Sequence, residues 1–252
     1  MTADPFGRAI RDHHRGERTE PLYQFDGAAR LEHPIERFYF EPVTPADVDD
    51  DPVLSSLSGP LLDLGAGAGR HALRFQERFE TVAVEVSDHL VATMRERGVD
   101  DARRGDMFAL RETFERDRFG GALAIGTQLG LAGSMDGLRR FLSELAYVTA
   151  PAATAVVDCY DPGRAAASDL LGYRGDPAPG LASRVMTFEY EGEVGETLLF
   201  RLFSPDRLRE ATIGTDWRVE TVTYGDEGAH YRALLAQRSE RQPGSVGDGP
   251  TS

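Results

Sequence analysis

A chain of 252 residues with 40% hydrophobic content can bury one large core, or one core and a cap. No run approaches the roughly 18–20 apolar residues of a membrane helix, and the single cysteine, Cys159, excludes an internal disulfide and suits a reducing cytosol. The 42 acidic residues against 28 basic ones give a net charge of −14, which argues against nucleic acid and anionic membranes as partners, since no basic cluster follows residue 20.

Every basic side chain is arginine; the chain has no lysine. A GC-rich genome favours arginine over lysine, but codon bias alone does not produce the acid excess. The other reading is adaptation to a salt-rich cytosol, where the Debye length falls to about 3 Å at 1 M salt and self-repulsion is screened. The first residues, "MTADPFGRAIRDHHRGER", are charged and contain no apolar signal region, so a cytoplasmic protein is expected.

In chain order, residues 1–20 are polar and Arg-rich, and 22–43 carry scattered aromatics: Tyr23, Phe25, Phe38, Tyr39 and Phe40. An acidic, linker-like stretch spans 44–52. Residues 1–54 are read as an N-terminal extension that serves as a lid. Regular alternation follows. "GPLLDLG" (59–65) reads as a buried strand and 68–79 as a helix, with Ala72, Phe75 and Phe79 at about one-turn spacing. "TVAVEV" (81–86) is a second strand, and Ser87 suits the N-cap of a helix ending at Gly98. Strands near 102–105, at 121–126 and at 153–161, with a helix over 137–148, complete an α/β pattern. Near-continuous apolar runs suit parallel strands covered on both faces.

Residues 162–183 are rich in Gly, Pro and Ala and read as a loop or small cap, and 184–203 as two strands joined by a turn. Thus 55–161 forms a core, 162–203 an inserted cap with a β-hairpin, and 204–238 the rest of the core sheet. Within that last part, Ser204 and Pro205 start a helix, and 217–224 with 229–237 form an antiparallel hairpin. The tail, 239–252, is disordered by composition.

The stretch "LLDLGAGAGRH" (61–71) carries the chemistry. A glycine-rich turn between a first strand and a helix lets backbone approach a ligand, and the helix start offers free N–H groups. Gly67, Gly69 and Ala72 match the dinucleotide spacing G-x-G-x-x-G/A, so spacing alone leaves two cofactor types open. Asp63 separates them. A carboxylate repels a pyrophosphate but attracts an ammonium, by about 4 kcal/mol at 4 Å and an effective dielectric near 20 before desolvation. S-adenosylmethionine, with its α-amino group and sulfonium, fits.

These residues resemble the first motif, D-x-G-x-G-x-G, of class I S-adenosylmethionine-dependent methyltransferases. The resemblance spans roughly 55–237 and implies a Rossmann-like seven-stranded sheet. That sheet is mostly parallel with an antiparallel C-terminal strand, helices on both faces. It also implies that Asp63, Gly65, Ala66, Gly67 and Gly69 surround the cofactor. On the same resemblance, Glu85, about 20 residues past Gly65, would bind both ribose hydroxyls beside Val86, and Asp106 and Met107 would lie beside the adenine. Gly126 and Thr127 would approach the methionine part, where many relatives have Asn at the position of Thr127.

Methyl transfer from a sulfonium is an in-line displacement, in which the protein aligns the nucleophile, excludes water and accepts any released proton. Candidate bases are His33, Tyr39, Tyr160 and His230; His71, at the start of the glycine-loop helix, is expected to be merely exposed. His13 and His14 lack partner ligands at useful spacing, so no metal is expected. Methylases of amino groups in nucleic acids and protein amides commonly carry an Asn/Asp-Pro-Pro-aromatic motif after the fourth strand. "GTQL" stands there instead, which points to a small-molecule substrate. A non-catalytic binding or assembly protein with this fold, and a nucleotide-dependent oxidoreductase, are the alternatives.

Overall fold

A computed structural model describes residues 3–225 and 228–239. Of the tail expected to be disordered, residues 240–252 lie outside the described residues.

The polar N-terminus contains a helix, α1 (Pro5–Arg15). Its local signals are complete: the Asp4 carboxylate accepts from the Gly7 N–H at 2.8 Å, Pro5 opens the first turn, and Gly16 closes it at φ 70°. A hairpin follows, β1 (Tyr23–Asp26) and β2 (Ala29–Glu32), then a π-helical turn over Glu36–Phe40. The stretch expected to be a linker, 44–52, holds a short helix, α2 (Pro45–Asp49). Thr44 and Asp47 close a capping box on it, and Val48 is buried.

The core runs β3 (Leu61–Leu64), α3 (Arg70–Phe75), β4 (Thr81–Glu85), α4 (Asp88–Glu96), β5 (Ala102–Arg104), β6 (Phe119–Ala124), α5 (Met135–Val148) and β7 (Thr149–Tyr160). Here α3 is shorter than the helix expected over 68–79, because the chain leaves it in turns after Phe75. The insert supplies β8 (Tyr173–Gly175), β9 (Leu181–Tyr190), β10 (Glu193–Val194) and β11 (Leu198–Phe203). Then come α6 (Pro205–Thr212), β12 (Trp217–Tyr224) and β13 (His230–Gln237).

The main sheet has seven strands in the order β12-β13-β7-β6-β3-β4-β5. Strands β3 to β7 pair in parallel, and β13 lies antiparallel to both β7 and β12. Every residue of β3 and β4 is buried, as continuous apolar runs require of strands covered on both faces. On one face Leu62, Leu64, Ala122 and Val157 pack with Phe141, Leu142 and Leu145 of α5. On the other, Leu61, Leu123 and Val156 pack with Phe75 and Val48. Strand order reverses at β3: β4 pairs on one side of it and β6 on the other. Open α/β sheets bind ligands beyond the strand C-termini at such a reversal, and the glycine turn sits there.

The N-terminal hairpin and the insert are one layer. Strand β9 pairs with β1 (Tyr23↔Glu189, Phe25↔Thr187), with β8, β10 and β11, and β2 completes the six-stranded sheet. Ile10, Leu22, Ile35, Met186, Phe188 and Tyr190 pack there against Ala68 of the glycine turn and Leu90 of α4. Burying each such side chain stabilises by about 1.5–3 kcal/mol. The layer is therefore docked on the turn rather than hanging over it.

Candidate functional site

Gly65, Gly67 and Gly69 adopt φ of 62°, 57° and 78°, the left-handed region that a Cβ disfavours. Their space is occupied as well. A Cβ on Gly65 would lie 2.4 Å from the Gln128 side chain, one on Gly69 2.6 Å from Val99, and one on Gly67 3.3 Å from the Tyr39 ring. Gln128, which the sequence did not single out, thus covers the start of the turn, and Tyr39 covers its middle.

Asp63 is buried on β3 at 2% exposure, and its Oδ2 has no hydrogen-bond partner. Burial pushes its carboxyl up to about 7; the Ala72 backbone N–H pulls it down and the charge of Glu85 pushes it further up. A buried carboxylate with an orphaned oxygen, beside a turn that only glycine can form, suits a ligand carrying a cation.

Glu85 ends β4 as expected, and its carboxylate is held by backbone. Oε2 accepts from the Gly67 N–H at 3.1 Å, and Oε1 from the N–H groups of Val86 at 2.8 Å and Ser87 at 3.2 Å. Burial raises its pKa against these three bonds. The bonds fix the carboxylate at the mouth of the turn with lone pairs to spare. Ala66 holds the turn to β4 through its N–H to the Val84 carbonyl at 3.1 Å. Next to Glu85, the Val86 side chain is 59% exposed, an apolar surface for a flat ring. Asp106 is exposed past β5 and caps its own loop through the Phe108 N–H at 2.8 Å. Met107 packs its side chain into the main core.

At the end of β6, Thr127 is left-handed at φ 61°. The Gly126 and Thr127 N–H groups donate to the two oxygens of Asp158, at 3.0 and 2.6 Å. Asp158, on β7, is 1% exposed and also meets His230 Nε2 at 2.9 Å. The Tyr160 and His230 rings lie 5.2 Å apart across paired strands. Asp158 was missed as a site residue; its signal is an acid inside the apolar run "ATAVVDCYD", near the strand's C-terminal end. His71 corrects its expectation: it is half-buried rather than exposed, and burial lowers its pKa to about 4.

His33 and Tyr39 sit in the second layer. His33 Nε2 lies 3.1 Å from the Tyr39 hydroxyl, and its ring contacts Phe6, Phe38 and Phe188. Burial, with the charge of Arg184, lowers its pKa to about 4, so His33 is neutral at neutral pH. Burial likewise raises the Tyr39 hydroxyl. Arg97, also missed, joins layer to turn: its Nη1 donates to the Tyr39 carbonyl at 2.9 Å and the Ala68 carbonyl at 2.6 Å. Among the described residues, no group of three or more His, Cys, Asp or Glu is arranged to hold a metal. No described helix is long and apolar enough to cross a membrane.

No protein-family model and no curated protein sequence matches the chain. Solved structures do. An S-adenosylmethionine-dependent methyltransferase from Bacteroides fragilis, in complex with S-adenosyl-L-homocysteine, superposes with a TM-score of 0.74. It is 23% identical, and the match covers 93% of this chain and 95% of that one. CalS10, an amino pentose methyltransferase from Micromonospora echinaspora, gives a TM-score of 0.52 at 18% identity over 70% and 82% of the two chains. The CcbJ methyltransferase from Streptomyces caelestis gives 0.56 at 17% identity over 73% and 92%. The chain therefore has the Rossmann-like fold shared by these methyltransferases.

Proposed function

We propose that this protein is an S-adenosylmethionine-dependent methyltransferase acting on an O, N or C nucleophile of a small molecule. The observation that carries the reading is Asp63. Its orphaned oxygen lies behind three left-handed glycines at the strand-order reversal, with Glu85 fixed at the end of the next strand. The fold similarity supports it, as does the amino pentose substrate class in the name of one similar protein.

Glu85 would take the ribose hydroxyls, Val86 and the Met107 backbone the adenine faces, and Asp106 the adenine edge. Asp63, Gly65, Ala66, Gly67, Gly69, Gly126 and Thr127 would hold the methionine end. When bound, S-adenosylmethionine supplies a methyl group already activated by its sulfonium. The chain then has to exclude water, align the nucleophile and take its proton. The docked second layer excludes water. His230 is the base of this reading. With Nε2 donating to Asp158, the ring is held in one tautomer and Nδ1 keeps its lone pair. Asp158 also stabilises the imidazolium once the proton arrives. His33 is a weaker base here, because burial already disfavours its charged form. Tyr160 lines the approach to His230.

The test is transfer of labelled methyl from S-adenosylmethionine to a panel of amino sugars, phenols and small amines. Turnover of at least one member is expected, with His230→Gln lowering kcat about 100-fold or more while cofactor affinity is unchanged. Cofactor binding without turnover of any member would favour the non-catalytic alternative.

A further inference from the structure

Arg184 lies at the centre of β9, between β8 and β11, where it pairs with Tyr173 and Phe200. Side chains alternate along a strand, so Ala182, Arg184, Met186 and Phe188 share a face. Ala182 belongs to the main core, and Met186 and Phe188 to the second-layer core. Arg184 thus sits on the inner face of the second sheet, at the seam between the two cores. Its charge acts on His33 of the second layer, and that of Tyr160, at the ligand end of β7, acts on it.

Its guanidinium is fixed but not neutralised. Nε donates to the Leu171 carbonyl at 2.9 Å and Nη2 to Gln24 Oε1 at 3.1 Å. No carboxylate among the described residues lies within ion-pair distance of it, in a chain with 42 acids. Other arginines of this layer are paired: Arg174 with Asp26, Arg201 with Asp176 and Arg30 with Glu189. A half-buried cation without a counter-ion costs free energy unless something else offsets it. These two bonds use Nε and Nη2 and leave Nη1 for a further acceptor.

We propose that Arg184 binds a carboxylate on the substrate and so selects a small monoanionic acceptor. The proposal rests on the methyltransferase reading for what happens to that substrate, but not for the anion site itself. A carboxylate fits better than a phosphate dianion. One guanidinium balances one charge, and the neighbouring His33 is neutral and adds none. The ring of Phe200, directly across the strand pair on the same face, offers apolar surface for the rest of the molecule.

Arginine-labelled (¹⁵N) protein provides the test. The Nε–H resonance absent from Arg184→Gln, or from Arg184→Lys if the first variant does not fold, identifies Arg184. Acetate, small enough to enter any carboxylate site, is titrated against acetamide as the neutral control at constant ionic strength. A saturable shift of that resonance with acetate and none with acetamide is expected. No shift, or the same shift with both, overturns the proposal. S-adenosylhomocysteine binding is measured separately on the unmodified protein. If it fails while the acetate shift persists, the methyl-transfer reading falls and the anion site stands.

Discussion

At the residue scale, Asp63 sets opposing demands. Its folded pKa of about 7 lies above the ordinary value near 3.9, so the folded state holds the extra proton between those limits. Its contribution to stability is therefore lost as pH rises from about 4 to about 7. His33 and His71 act in the opposite sense. Both are held at about 4, so the unfolded chain binds more protons up to about pH 6.5 and stability rises with pH across that window. Asp63→Asn isolates the first effect. Without ligand, the variant should melt several degrees above the parent at about pH 8, with the gap closing toward pH 4. S-adenosylhomocysteine should bind it at least about tenfold more weakly, about 1.4 kcal/mol. A variant that matches the parent in both respects would place Asp63 outside the site. A second consequence is a proton. An ammonium next to Asp63 pulls its pKa down, so cofactor binding near pH 6 should release a proton. Calorimetry in buffers of different ionisation heat reads it as a buffer-dependent enthalpy; equal enthalpies would contradict the contact.

At the element scale, the second layer divides into a buried base and an exposed tip. Leu22 and Ile35 are fully buried, whereas Phe38 in the π-helical turn is 46% exposed. π-helical turns occur frequently at functional sites, and this one carries Tyr39 over Gly67. Hydrogen exchange should therefore show Leu22, His33 and Leu61–Leu64 protected with or without ligand. The amides of Phe38–Glu41 should slow only when S-adenosylhomocysteine is present. Arg97→Ala, which removes the link to the Tyr39 and Ala68 carbonyls, should speed exchange in the tip and leave β3 unchanged. Uniform protection would make the tip permanent packing. The Rossmann-like core was legible because its signals are local: buried runs at β3 and β4, the Ser87 cap and the glycine turn. Of the second sheet only the two strands within 184–203 were legible; the N-terminal hairpin that joins them was not. Tyr23 pairs with Glu189, and β1 and β2 are half-exposed or exposed along their length, so no alternation betrays them. Asp158 stood out as an acid in an apolar run, but its role did not, since its partners Gly126, Thr127 and His230 are brought to it only by the sheet.

At the scale of the whole molecule, charge and cofactor decide the account. A net charge of −14 repels itself at low ionic strength. The surface ion pairs, such as those of Arg11 and Arg15 with Glu96, offset little of this, since exposed pairs each contribute about 0–1 kcal/mol. The thermal midpoint should be higher in about 1 M KCl than in about 50 mM KCl. A flat or falling midpoint would favour codon bias over salt adaptation. The most direct test of the central claim is a calorimetric titration of the ligand-free protein with S-adenosylhomocysteine and, separately, with NADH. Saturable binding of S-adenosylhomocysteine is expected, weakened at least about tenfold by Glu85→Ala through loss of charge-assisted hydrogen bonds to the ribose, with no comparable binding of NADH. Preferential binding of NADH, or S-adenosylhomocysteine affinity untouched by Glu85→Ala, would contradict it.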